Sequence, residues 1–324
     1  MTTSIPGAQQ EAVRGVEHWT HKGTVRLFLF EKFLPSSEPT FSQPGAPVLL
    51  LVHGSSMSAL PTFDLQVPGR PDYSVMDYFA RLGYDVWTLD NEGYGRSDKD
   101  PNVDIHIATG AADVEAVAAY IASVRGDQPL LLYGVSSGAL KAGMFAQRHP
   151  GRARRLILDA FVWTGKGSPT LDARRQHLDD YRGSYRRRLD EDFIRNVFRD
   201  DNREIAYPDV VEHFARETCR WDDSVPTGTS IDYCTELPLV DPARLELPVM
   251  VFRGELSQLA ALEDLLAFFE RLPNPNKLFV ALPGIAYDGL KGKNYHLMLH
   301  YMHAFFSQPE PEVISGSSAD QVKA

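Results

Sequence analysis

Hydrophobic and polar positions alternate along Thr24–Phe33 (TVRLFLFEKF), a pattern that predicts a strand with one buried face. Pro47–Val52 is instead continuously apolar and runs into His53-Gly54, as expected of a strand buried on both faces of a parallel sheet. A helix is predicted over Ser74–Leu82, then a strand over Asp85–Leu89. Residues 111–125 (AADVEAVAAYIASVR) combine helical spacing with good helix formers. A strand over Pro129–Tyr133, a glycine-rich turn, a helix through Gln147 and a strand over Arg154–Asp159 follow. Between Thr164 and Glu246 the pattern changes to Arg- and Asp-rich short helical segments with no run resembling a buried strand. Alternation resumes with a strand over Pro248–Phe252, a helix near Ala261–Leu272, a strand over Lys277–Leu282 and a last helix near Asn294–Phe306.

Strands alternating with helices predict a mostly parallel, doubly wound α/β sheet. The expected organisation is a loosely ordered N-terminus (1–20), a core formed by 21–163 and 247–306, a helical cap (164–246) inserted after one strand, and a disordered Pro-, Ser- and Gly-containing tail (307–324).

Composition narrows the function. The chain has 324 residues, 33 Lys+Arg against 43 Asp+Glu and a net charge of -10, which argues against sequence-independent nucleic-acid binding. No apolar run of about 18 residues suggests a membrane span, and the first residues lack the pattern of a secretory signal. Cys219 and Cys234 are too few for a disulfide framework or a four-cysteine metal site. A soluble, cytoplasmic protein acting on a small molecule is expected, without membrane or nucleic-acid partners; a homodimer is compatible with the sequence.

The strongest chemical signal is Gly134-Val135-Ser136-Ser137-Gly138, a G-x-S-x-G between an apolar strand and a helix. Small neighbours let the chain turn sharply, which presents Ser136 Oγ at a helix N-terminus where free N–H groups favour negative charge. The ordinary alternative is a glycine-rich turn of the kind common in α/β proteins. The strand ending at Val52 leads into His53-Gly54-Ser55-Ser56, so the backbone amides of Ser55 and Ser137 are candidates for an oxyanion hole. His53 is read as structural, as is Glu92 in the loop Asp90–Ser97 (DNEGYGRS).

His53-Gly54-Ser55, DNEGYGRS, GVSSG, a cap-length insertion after the sixth core strand and two terminal strand–helix units together resemble the α/β-hydrolase fold superfamily over about residues 45–306. The resemblance implies an eight-stranded sheet, a helical lid, and a Ser–His–acid triad in the chain order serine, acid, histidine. The other two triad places are altered. Gly254-Glu255-Leu256-Ser257 has Ser257 where the family's aspartate is expected, and Pro283–Tyr287 (PGIAY) has Tyr287 where its histidine is expected. Serine cannot hold an imidazolium by charge, and a phenol is a poor base at neutral pH.

A rerouted triad would use His296 as base, with Glu255, ranked ahead of Asp159, orienting it. The ordinary readings are a helix-flank stripe for His296, His300 and His303, a solvated turn carboxylate for Glu255, and a cap or loop anchor for Asp159. The i, i+4 histidine pair lacks an E-x-x-H context or an evident third metal ligand. The cap arginines, among them Arg174, Arg187, Arg195 and Arg199, read first as solvated ion pairs; the sharper reading is that one or two point inward and clamp a carboxylate. Trp163, Trp221 and Tyr233 are candidate lid aromatics, with hydrophobic core as their ordinary reading, and Trp163 and Tyr287 are candidate substrate-pocket residues.

The expected activity is cleavage of an ester, lactone or amide through a Ser136 acyl-enzyme, with no metal or organic cofactor. The alternatives are a cofactor-free lyase, cyclase or isomerase in which Ser136 only donates a hydrogen bond and Tyr287 could be its acid, or a non-catalytic small-molecule binder.

Overall fold

The computed structural model describes residues 11–200 and 203–312. The chain enters through β1 (Arg14–Lys22), which pairs antiparallel with β2 (Val25–Phe33) over nine residues. Most of the first strand therefore lies within the stretch expected to be loosely ordered. Part of that stretch, residues 1–10, falls outside the described residues.

β3 (Val48–Val52) leads through α1 (Ala59–Phe63) and α2 (Val75–Arg81) to β4 (Asp85–Leu89). α3 (Ile107–Arg125), β5 (Leu130–Val135), α4 (Ser137–Arg148) and β6 (Ala153–Asp159) follow. The insertion then carries α5 (Pro169–Arg175), α6 (Leu178–Arg182), β7 (Arg186–Arg188), α7 (Glu191–Val197), the strand pair β8 (Arg199–Asp200) and β9 (Arg203–Glu204), α8 (Pro208–Trp221), β10 (Ser224–Pro226) and α9 (Gly228–Thr235). β11 (Val249–Gly254), α10 (Leu262–Glu270), β12 (Lys277–Leu282) and α11 (Tyr295–Ser307) complete the fold.

The main sheet has eight strands in the order β1-β2-β4-β3-β5-β6-β11-β12. β1, β2 and the β2–β4 pairing are antiparallel, and the remaining pairs are parallel. Alternate residues of the central strands feed two cores, one per face. Leu50 and Val52 pack with Val114, Val117 and Leu140 on one side, and Leu49 and Leu51 with Phe79, Met298 and Met302 on the other.

α3 is long and apolar enough to meet the length and composition of a membrane span, contrary to the sequence expectation. Here it is a core helix: Val114, Val117, Ala118 and Ile121 are buried, and its buried Asp113 pairs with Lys22 at 2.5 Å.

The insertion is not purely helical. β7 and β10 pair antiparallel across Arg187 and Val225, and β8 and β9 form a two-residue ladder. The start of the C-terminal tail is fastened to the core, because Arg155, almost wholly buried, donates to the Gln308 carbonyl (3.1 Å) and the Glu310 carboxylate (2.8 Å). Residues 313–324 lie outside the described residues.

Candidate active site

β5 ends beside β3 and β6 in the middle of the sheet, with Gly134 opposite Val52 and Val135 opposite Asp159. Ligands of open parallel sheets collect at this carboxyl edge. Ser136 follows immediately with φ 57° and ψ -124°, a left-handed conformation that a side-chain-bearing residue adopts only under local compulsion.

The compulsion is visible in its neighbours. A Cβ on Gly134 would stand 2.3 Å from the Gly138 carbonyl oxygen, and one on Gly138 would stand 2.1 Å from that of Val52. Only hydrogen at both positions lets α4 start this close to β3. Ser137 opens that helix, so its amide has no intrahelical acceptor and faces outward with the positive end of the helix dipole.

The second amide is set by His53, which is completely buried. Its Nε2 accepts from the Asn91 backbone N–H at 3.0 Å, so Nδ1 carries the proton and donates to the Gly54 carbonyl at 2.7 Å. Burial, reinforced by the nearby Lys141 cation, pushes the His53 pKa well down and keeps this neutral tautomer. Because a trans peptide points its C=O and N–H oppositely, fixing the Gly54 carbonyl on His53 turns the Ser55 N–H the other way. Tyr94 Oη, donating to the Ser55 carbonyl at 3.1 Å, holds the next peptide. The loop abuts the serine: a Cβ on Gly54 would meet Ser136 Cβ at 3.2 Å. The Gly54–Ser55 turn and the start of α4 at Ser137 therefore meet at Ser136.

The groups that reach Ser136 Oγ are phenols. Tyr287 Oη lies 2.5 Å away, and Tyr233 Oη, from α9 of the insertion, lies 3.3 Å away. Under them Ser136 is only 2% exposed. Among the described residues no histidine hydrogen bonds to it. Burial raises the Tyr233 pKa strongly, which keeps that phenol protonated.

The expected Ser136–His296 pair does not form. α11 turns its Met298, Leu299, Met302 and Phe305 stripe into the core, and helical geometry then leaves His296 and His300 on the exposed face. The His296 ring lies edge-on to Tyr295 at 5.9 Å, and His303 shares a hydrogen bond with Tyr84 Oη at 3.0 Å. Glu255 is exposed and accepts from the Gly284 N–H at 2.8 Å, so it staples the turns after β11 and β12 rather than meeting a histidine. Asp159 does lie beside the serine, its carbonyl accepting from the Ser136 N–H at 2.9 Å. Its carboxylate is taken up by Tyr133 Oη at 2.5 Å. Burial drives the Asp159 pKa up to about 7, helped by the nearby Asp288, although Tyr133 and the Ala160 amide oppose the shift. Trp163 is buried away from the cavity, its Nε1–H on the Val240 carbonyl at 3.1 Å and its ring edge-on to Phe268.

Above Tyr287 a cavity of about 280 Å³ is lined by Ser56, Met57, Arg174, Phe193, Leu256 and other residues of the insertion and the strand-end loops. A family model for the alpha/beta hydrolase fold matches residues 47–285. The chain belongs to that family.

Solved structures of the α/β-hydrolase fold overlay nearly the whole chain at low identity. E-2-(acetamidomethylene)succinate hydrolase superposes with a TM-score of 0.62 at 18% identity, over 91% of this chain and 100% of that one. A bromoperoxidase from Bacillus anthracis gives 0.65 at 13%, over 90% and 100%. An esterase from Thermogutta terrifontis gives 0.60 at 18%, over 91% and 100%. Likeness at these identities is one of fold. No curated protein matches the sequence. This α/β-hydrolase-fold, hydrolase-like chain thus keeps the family's elbow and carries two tyrosines on its serine.

Tyr233 was named from sequence only as a lid aromatic. No local signal could have paired it with Ser136, 97 positions away.

Proposed function

We propose that this α/β-hydrolase-fold protein acts on the carbonyl of a small organic molecule without forming an acyl-enzyme, in a cofactor-free lyase, cyclase or isomerase reaction. The 2.5 Å contact between Ser136 Oγ and Tyr287 Oη carries the proposal. A phenol is a ready donor and a weak base, so the pair is suited to giving a proton rather than to making an alkoxide. In such a reaction negative charge builds on the substrate's carbonyl oxygen; the amides of Ser55 and Ser137 are the candidates to stabilise it, and Ser136 Oγ, hydrogen-bonded to Tyr287 Oη, donates a hydrogen bond to the same oxygen. Donors aimed in advance at developing charge typically contribute about 10²–10³ in rate each.

The strained elbow at φ 57° supports a second reading, ester, lactone or amide hydrolysis through a Ser136 acyl-enzyme. Covalent labelling by a fluorophosphonate, followed by intact mass, separates the two. Wild-type protein is expected to remain unlabelled over hours. Fast stoichiometric labelling that disappears in Ser136→Ala would overturn the proposal and establish the hydrolytic reading.

A further inference from the structure

The insertion contains many arginines, and several of them have carboxylate partners. Arg175 pairs with Asp172 at 2.6 Å, Arg195 with Glu212 at 2.8 Å and Arg220 with Glu217 at 3.4 Å, all on the outer surface. Among the described residues Arg186, Arg199 and Arg216 lack one within 4.0 Å, Arg199 also lining the cavity, and so do Arg174 and Arg187, although the chain carries 43 acidic side chains.

These last two face the site. Arg187 donates to Ser56 Oγ at 2.7 Å, one residue beyond the Ser55 amide, and lies 4.7 Å from the centre of the Phe193 ring. Arg174 lies 5.2 Å from the centre of the Tyr233 ring, the phenol that touches Ser136, and lines the cavity directly. Ser56 and Phe193 line the same cavity, so Arg187 stands just behind its wall. Burial above all pushes the Arg187 pKa down, and repulsion from Arg174 adds to this against the opposing pull of Tyr94. Holding two like charges near each other, with Arg187 partly desolvated, disfavours the empty fold, and an anion placed between them removes that penalty. The lining also includes Met57, Val197, Leu256 and Leu259, which suit an apolar body. The volume, about 280 Å³, equals that of roughly nine liquid waters.

We propose that the cavity takes a small carboxylate whose anionic end sits against Arg174 and Arg187 and whose apolar end faces Met57 and Leu259. The proposal rests on the reading that substrate binds above Ser136 and Tyr287, and it names the substrate's second recognition group.

Calorimetry with 3-phenylpropanoate and its neutral amide, 3-phenylpropanamide, tests it on the intact protein. The acid is expected to bind at least tenfold more tightly than the amide. Arg174→Gln/Arg187→Gln should lose that preference while leaving the amide's affinity unchanged. The ligand-free double variant should melt no lower than wild type, since no ion pair is lost; a structural role for the arginines would lower it. Equal binding of acid and amide, no binding of either, or acid affinity retained in the double variant would overturn the proposal. Should the double variant not fold, the acid–amide comparison on wild-type protein still decides. Because this reads binding and not chemistry, labelling of Ser136 by a fluorophosphonate would overturn the non-covalent reaction alone, leaving the carboxylate site to stand or fall by its own test.

Discussion

Tyr287 Oη stands 2.5 Å from Ser136 Oγ, in the chain position where the resemblance to the family leads one to expect a histidine. The turn after β11 packs on this segment, with the Leu256 N–H donating to the Ile285 carbonyl at 2.9 Å. Ser257, one residue later, occupies the expected place of the acid.

Restoring both groups should restore an activated serine. Ser257→Asp/Tyr287→His is expected to react with a fluorophosphonate at least tenfold faster than wild type, and neither single variant should match it. Intact-mass kinetics measure this, and a double variant as inert as wild type would show that the backbone no longer supports a triad.

Asp159 makes a pH prediction with a definite sign. The native state holds its proton up to about pH 7, whereas the unfolded chain releases it near 3.8. Between those values the native state binds more protons, so this group's contribution to stability falls as pH rises. Asp159→Asn should lose less stability than wild type between pH 4 and 7 in urea titrations. Parallel curves for the two proteins would refute it.

Lys141 gives the opposite slope. It is buried in α4 beside the His53 carbonyl, 3.5 Å away, and burial lowers its pKa from 10.5 to about 7. Below pH 7 both states hold the proton and the native state bears the full cost of a buried cation. Between 7 and 10.5 the unfolded chain holds more protons, so stability rises with pH. Lys141→Met is expected to be more stable than wild type at pH 6, with the margin shrinking by pH 9. A margin that stays constant or grows with pH would contradict this assignment.

Gly138 tests the elbow. Alanine there would bring a methyl group to 2.1 Å from the Val52 carbonyl and 2.6 Å from that of His53, forcing α4 away from β3. We expect a loss of about 1–3 kcal/mol, read by chemical denaturation. A variant as stable as wild type would mean that the helix can shift without cost.

The central strands were legible because burial on both faces leaves little freedom in composition: Asp85–Leu89 was read with the bounds it has. Lys277–Leu282, also read with its own bounds, is the half-exposed edge strand β12 and was legible from its alternation instead. β1 was missed because it is an edge strand with an exposed, polar face, and its nine pairs with β2 are non-local information. β7 is three arginines in a row, held as a strand only by β10. The histidines of α11 misled for a related reason. Their spacing defines a face, and which face turns inward depended on the sheet beneath.

What the sequence determined by itself was the sharp turn at Ser136 and its approach to the end of β3. Steric exclusion acts between near neighbours, so glycines at 134 and 138 and the His53-Gly54 pair suffice to dictate the turn. What only the tertiary structure decided was the company Ser136 keeps. Tyr233 and Tyr287 lie 97 and 151 positions away, and their hydroxyls converge on the serine through the path of the insertion and of the loop after β12. Side chains so far apart meet because the packing of whole elements places them, and no local pattern records that packing.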